Sequence, residues 1–366
     1  MNGYKNPVKI INSSDWYGDL KDTISDFKIL NPIVVTSPGN KSRLDLGKYF
    51  SESCIFSFVP SNPSFVDCST IIKFCKAKTF DSVIAIGGGS VMDLAKVALS
   101  HLSLGSSDIH KLIAYKSQYN NIIPSIFIPT THGTASEVTM WGTIWDMNGK
   151  KKYSISNYSL YPDIAILDGK LALSLPMDIS ITTILDALSH SFEAIWNKNA
   201  NLKSTKFAED AICLIFDNVF KLKKNPNDLE LRNNLMRAST IAGLAFSNTA
   251  TAAAHSISYP LTIHHSIPHG IAASITLTSL LEINQSHISN SLNIILDRLN
   301  LGIDELANTL LDIPANIISF KLKDWGVRKS ELSQIASESF TKGRMENNII
   351  NLSEDMVLKI LMDVYS

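Results

Sequence analysis

The chain has 366 residues, 45% of them hydrophobic, and a formal net charge of -1. That is ample apolar material for two cores, and near-neutrality without a dense basic run points away from nucleic acid or an anionic membrane and towards small-molecule chemistry. No apolar run approaches the roughly 18 residues of a membrane span, and the N-terminus MNGYKNPVKIINSSDW lacks a signal-like apolar core, so a cytoplasmic protein is expected. Cys54, Cys68, Cys75 and Cys213 form no CxxC pair and sit in or beside apolar segments, as reduced core residues do.

Up to about residue 170, short β-branched runs alternate with helical patterns. NPIVVTS, CIFSFV, DSVIAIGG, PSIFIPTT and DIAILD read as strands of an α/β domain. Between the last two, WGTIWDMNGKKKYSI carries Asn148-Gly149 among alternating residues, the signature of a two-residue β-hairpin. After Asp168 the strand signals stop, and helices are expected at 178–197, 204–222, 229–246, 270–285 and 354–364. The expected organisation is therefore an α/β domain over 1–170 and an all-helical domain over 171–366, with the active site in the cleft between them.

In the first domain, DSVIAIGGGSVMDLAKVAL reads as strand, turn and helix, with Gly87, Gly88 and Gly89 in the turn and the helix starting at Ser90. Glycines let a backbone approach a diphosphate, and free N–H groups at a helix start favour its charge. Ser90 and Asp93 also read as a helix N-cap with an acidic first turn. The triplet lacks the GxGxxG spacing, so a plain tight turn stays open as a reading.

In the second domain, Asp186 and His190 stand one helical turn apart in ISITTILDALSHSFEAIW and project from one face. His255 follows in TATAAAHSISYPL and His269 in HHSIPHGIAAS, so that two helices and a loop would converge. Three imidazoles and a carboxylate suit Zn(II), Fe(II) or Mn(II), and the absence of thiolate argues against a closed structural zinc site. Any one of these histidines alone could merely satisfy a local hydrogen bond.

VPSNPS (59–64), IGGGSVMDLAK (86–96), PTTHGTASEVT (129–139), YPDIAILD (161–168), DALSHSFEA (186–194) and HSISYPLTIHHSIPHG (255–270) together resemble the iron-containing, or group III, alcohol dehydrogenases over essentially the whole chain. The resemblance implies a dehydroquinate synthase-like architecture. A Rossmann-like parallel-sheet domain would bind NAD(P), and an all-α domain would hold Fe(II) or Zn(II) through Asp186, His190, His255 and His269. The same resemblance assigns cofactor contacts to Asn62, Gly88, Gly89, Ser90, Asp93, Thr130, Thr131, Thr134 and Lys152. It also puts the NAD/NADP-discriminating position at Ser37. With no carboxylate there, and with Lys41 and Arg43 nearby to pair with a 2′-phosphate, NADP(H) is favoured over NAD(H). A homodimer is one compatible assembly.

Several positions depart from the family pattern: His132 replaces a usual Ala, Ala135 a frequent Gly, and Ile184 a customary Gly. Tyr259 stands where many members carry a second His, so the candidates for proton delivery are Tyr259, a relay through water and the nicotinamide ribose, and His265, with packing beside the metal helix as the other reading of Tyr259. WDMNGKKKYS, DALSHSFEAIWNKNAN, TAAAHSISYPLT and GRMENN look like the phosphonoacetaldehyde reductase branch, which would require cations near the metal. His264, His265, Lys198 and Arg344 are the candidates. The expected reaction is reduction of a small aldehyde to a primary alcohol. Its rivals are a general alcohol dehydrogenase or maleylacetate-type reductase, a dehydroquinate synthase-type lyase, and a non-catalytic nucleotide-binding protein.

Overall fold

The structure is a computed structural model describing residues 3–146, 149 and 151–366. The chain divides into two compact units: a sheet unit, Asn6–Thr131 with Ala135–Ser174, and a helical unit, Leu175–Ser366 with His132–Thr134 and the N-terminal residues through Lys5.

The sheet unit contains β1 (Lys9–Asn12), β2 (Pro32–Thr36), β3 (Ile55–Phe56), β4 (Ser82–Gly87), β5 (Ser125–Pro129), β6 (Trp141–Asp146), β7 (Lys151–Ser156) and β8 (Ile164–Leu167). Six of them form one parallel sheet in the order β1-β8-β5-β4-β2-β3. Alternate side chains of the same strand enter two different cores. Val34, Ile84, Ile86, Ile126 and Ile128 pack with Trp16 and Leu20, while Ile33, Val35, Val83, Ala85 and Phe127 pack with Ile71, Leu94 and Ala98. Burial on both faces is why these strands read as continuous apolar runs, as parallel strands covered by helices do.

Two strand expectations change. CIFSFV shortens to Ile55–Phe56, because Phe58 is exposed and Pro60 cannot donate to a ladder. β1 had no sequence signal, since four half-exposed edge residues carry too little periodicity. β6 and β7 pair antiparallel with Trp141 opposite Ser156 and Asp146 opposite Lys151. Asn148, expected in their turn, lies outside the described residues.

In the helical unit, helices span Met177–Ile195, Leu202–Lys224, Leu229–Thr249, Ala253–His265, His269–Ser274, Leu277–Asn284 and Glu354–Asp363, among others. The helix expected over 270–285 is two helices, broken around Ile275 and Thr276. His255 lies on Ala253–His265, a helix not among those expected, which tolerates Pro260 inside it. Met177–Ile195 is buried on every side from Ile184 to Ile195, as the central helix of a bundle must be. No helix of the described residues is long and apolar enough to cross a membrane.

Candidate functional site

In the sheet unit, the strand order reverses direction between β2 and β4: β2 leads outward to β3, whereas β4 leads the other way to β5. The crevice beyond the carboxyl ends of strands at such a reversal is where open α/β sheets bind ligands. Ser37 follows β2 and the glycine turn follows β4, so both sit at that reversal. Thr36 Oγ1 donates to Ile86 O at 2.8 Å, Thr130 N to Gly87 O at 3.1 Å, and Asn40 Nδ2 to Thr130 Oγ1 at 3.2 Å. Three loop starts are thereby tied together.

The helix begins at Gly89, one residue earlier than expected, and Gly88 is its N-cap with no side-chain hydrogen bond. The reading of Ser90 and Asp93 as cap and first-turn acid therefore does not hold. Instead Ser90 Oγ accepts from the Asn62 N–H at 3.3 Å, and Asn62 takes a left-handed φ of 53°. A Cβ on Gly88 would lie 3.2 Å from the Thr131 side chain, so a larger side chain there would press on Thr131 beside the turn. The N–H groups of the turn, at the positive end of the helix Gly89–Leu104, can hold a diphosphate. Thr134 belongs to the helical unit rather than to this group. Lys152 lies over the Trp145 ring, 5.2 Å from its centroid.

The cations expected to meet a 2′-phosphate are already engaged. Lys41 pairs with Glu52 at 2.5 Å, and Arg43 donates to Leu171 O, Ser174 Oγ and Asn40 Oδ1. Ser37 caps its own short helix through the Asn40 N–H. Lys41 and Arg43 thus already have partners within the protein, which weakens the case for NADP(H).

In the helical unit, Asp186, His255 and His269 each offer a ligand atom within 4.8 Å of the others. Asp186 Oδ1 stands at the focus: His255 Nε2 lies 3.4 Å from it, and His190 Nε2 and His269 Nε2 each 3.9 Å. The His190 ring stacks between Phe246 and His255, with centroids 4.0 and 4.5 Å away. His269 opens its helix, and its approach depends on the next residue, since a Cβ on Gly270 would meet Thr182 O at 2.0 Å.

One member of this site was missed in the sequence. Glu193 is fully buried and holds His255 twice, through Nδ1 at 2.6 Å and the backbone N–H at 3.0 Å. The carboxylate fixes the imidazole so that Nε2 faces Asp186, the arrangement that orients metal-bound histidines. The signal was present, because Asp186, His190 and Glu193 recur at helical spacing on one face of an apolar helix.

Burial pushes the His255 ring towards neutrality, but Glu193 and Asp186 outweigh it and hold the ring's pKa at about 9. Burial likewise opposes the Asp186 charge, yet the His190, His255 and His269 rings keep its carboxyl well below the usual range. Asp186 Oδ1 and His255 Nε2 make no hydrogen bond within the described residues although both are buried. Such a cluster of inward nitrogens around an unsatisfied carboxylate oxygen fits a divalent cation.

Tyr259 lies one turn beyond His255, and its hydroxyl accepts from Arg344 Nε at 3.1 Å. The remaining candidate cations lie elsewhere. Lys198 donates to Glu346 O and Asn351 Oδ1, His264 bonds Glu338, and His265 ends the helix with Glu331, His264 and Arg328 as its charged neighbours. Of the expected substrate residues, Arg344 alone is brought to the face that carries His255.

Comparison with known proteins converges on one family. The description "Fe-containing alcohol dehydrogenase family, C-terminal" matches residues 180–365, and "Iron-containing alcohol dehydrogenase" matches 7–169. Aldehyde-alcohol dehydrogenase 2 of Entamoeba histolytica is 35% identical over 243 residues, which is 63% of this chain but 27% of that protein, so the chain spans only a minor part of such relatives. Sulfoacetaldehyde reductase of Bilophila wadsworthia is 28% identical across 94% of this chain and 95% of its own. The crystal structure of sulfoacetaldehyde reductase from Bifidobacterium kashiwanohense in complex with NAD+ has a TM-score of 0.90 at 27% identity, covering 100% of this chain and 99% of that one. With a parallel sheet ending in a glycine turn, a helical unit gathering Asp186, His255 and His269, and matches running through both, the chain belongs to the Fe-containing alcohol dehydrogenase family.

Proposed function

We propose that the protein reduces a small aldehyde bearing an acidic tetrahedral group, phosphonoacetaldehyde to 2-hydroxyethylphosphonate foremost, using NADH. The observation that carries this reading is Arg344. Its guanidinium is partly buried beside Tyr259, forms no ion pair among the described residues, and has side-chain bonds only to Tyr259 Oη and Gly343 O. A planar fork of donors next to the metal helix suits an oxyanion with two or three oxygens. Similarity to sulfoacetaldehyde reductases over nearly the full chain supports an acidic aldehyde and favours the sulfonate as second reading. NADH is preferred because Lys41 and Arg43 already have partners.

Asp186, His190, His255 and His269 would hold the metal, with Glu193 orienting His255. When bound, the divalent metal supplies Lewis-acid polarisation of a carbonyl and the nicotinamide supplies the hydride. The remaining chemistry falls to the chain. The aldehyde carbon gains a hydride and its oxygen a proton, and the Tyr259 hydroxyl is the donor that this helix presents beside His255. Arg344, donating to that hydroxyl oxygen, fixes where it stands.

The test is NADH and NADPH oxidation by metal-loaded enzyme with phosphonoacetaldehyde, sulfoacetaldehyde and propanal. The expected result is a kcat/KM for an acidic aldehyde well above that for propanal. Arg344→Met should then shrink that ratio roughly 10- to 100-fold, the worth of a charged hydrogen bond. Equal turnover of propanal would reject the acidic-substrate reading and leave a general alcohol dehydrogenase.

A further inference from the structure

Lys96 has no role in the reaction as derived so far, yet its environment is unusual. It lies on the helix Gly89–Leu104, within IGGGSVMDLAK, and is fully buried. Its Nζ donates to Ser136 O, Ser136 Oγ and Trp141 O, each at 2.8 Å, and to Thr139 Oγ1 at 3.2 Å. An ammonium has three protons, so four acceptors from one short loop saturate it.

That loop has a particular place in the chain. It runs from Ala135, in a left-handed φ of 48°, through the short 3-10 helix Ser136–Val138 to β6. On one side it continues from Thr130 and Thr131, and on the other it leads into the hairpin that carries Lys152. Packing reinforces the link: a Cβ on Gly142 would come 3.1 Å from Asp93 O on the helix that carries Lys96. Trp145, whose ring lies under Lys152, donates its backbone N–H to Pro63 O at 2.8 Å beside Asn62.

Stability alone is a poor reason for such a residue. Desolvating an ammonium is costly, and the hydrogen bonds it makes largely repay that cost rather than exceed it, so the residue gives the fold little net stability. What a saturated ammonium does add is one allowed position for the loop. We infer that Lys96 is a positioning residue for the nicotinamide nucleotide, clamping the 136–141 loop to the glycine-turn helix so that Thr130, Thr131 and Lys152 stand in register with the turn. The inference rests on the reading that the turn and these residues hold the nucleotide. Burial, opposed by Asp93 and Glu137, lowers the Lys96 pKa to about 7, so the clamp works best with its proton retained by those two carboxylates.

The experiment is NADH titration by fluorescence on full-length, metal-loaded enzyme, together with thermal melting and the KM for aldehyde. Lys96→Met should raise the NADH Kd about tenfold, the loss of roughly one charged hydrogen bond, with the aldehyde KM little changed; the melting temperature falls because the loop acceptors lose their donor, so the Kd is read at a temperature where melting shows the variant folded. Gly88→Val, which would crowd Thr131, tests the underlying reading separately. If Gly88→Val abolishes NADH binding but folded Lys96→Met keeps its Kd within about twofold, Lys96 is merely structural and the inference is overturned. If Gly88→Val binds NADH normally, the nucleotide reading of the turn is wrong and the inference falls with it. Should Lys96→Met not fold, Ser136→Ala with Thr139→Val removes two acceptors and keeps the ammonium. That variant should weaken NADH by about threefold, and an unchanged Kd would again overturn the inference.

Discussion

In the sheet unit the atoms offered to a ligand are backbone N–H groups, exposed because Gly88 and Gly89 carry no side chains and stand at the end of β4. In the helical unit they are side-chain nitrogens and an oxygen, carried by three helices and focused on Asp186. The first kind of site depends on what is absent and on where the chain turns. The second depends on orientation, and therefore on second residues such as Glu193 that aim the first. A substitution in one unit should leave the other's binding intact, which makes the contrast testable.

The largest effect is expected from His255→Ala. Loss of a central ligand should remove the metal and several kcal/mol of transition-state stabilisation, lowering turnover by roughly a thousandfold. Metal analysis and steady-state rates check this, and NADH affinity measured on the same sample should stay within about twofold. Weakened NADH binding would show that the two sites are not separable.

Glu193→Gln comes next. It keeps the shape but loses the charge that orients His255, and metal affinity measured against a competing chelator should fall by about 10- to 100-fold. An unchanged affinity would mean that packing against His190 alone aims the ring.

A third prediction uses His132, which is fully buried with no hydrogen bond from either ring nitrogen among the described residues. Burial, with Arg232 nearby, lowers its pKa to about 3. The folded state therefore keeps it neutral where an unfolded chain, with a pKa of about 6.5, takes up a proton. Its contribution is fully present above about pH 6.5 and is lost as the pH falls towards 3. Denaturant unfolding at pH 7 and pH 5 should show a drop of about 1–2 kcal/mol that His132→Ala reduces. Equal pH dependence in both proteins would mean that the ring is already solvated.

The smallest effect belongs to the sheet unit. Ala135 holds a left-handed φ of 48°, a conformation that glycine adopts without steric cost. Ala135→Gly should leave stability within about 1 kcal/mol of wild type, because relieved strain is offset by the entropy glycine gains when unfolded. A large loss would show that the Ala135 methyl, which is buried, packs in a way that outweighs its backbone.

Much of this was legible in the residues themselves. The apolar runs of β2, β4, β5 and β8, the glycine turn, the hairpin and the helical spacing of Asp186 and His190 are local patterns, because a strand or helix writes its period into the few residues that form it. β1 escaped because a four-residue edge strand has almost no period. The helix bearing His255 escaped because Pro260 reads as a breaker, whereas the surrounding bundle buries and retains that helix.

Which charged groups remain available for a ligand was a different kind of question. Lys41, Arg43, Lys198, His264 and Arg344 look alike in sequence as possible anion contacts. Distant partners separate them: Glu52 for Lys41, Leu171 and Ser174 for Arg43, Asn351 for Lys198 and Glu338 for His264. Residue types and their spacing determined the fold class, the family and the candidate cluster of Asp186, His190, His255 and His269. The tertiary structure alone decided that Glu193 aims His255, that Lys96 clamps a loop, and that Arg344 lies beside Tyr259. Those contacts join residues remote in sequence, and a long-range hydrogen bond leaves no periodic trace in the segments it connects.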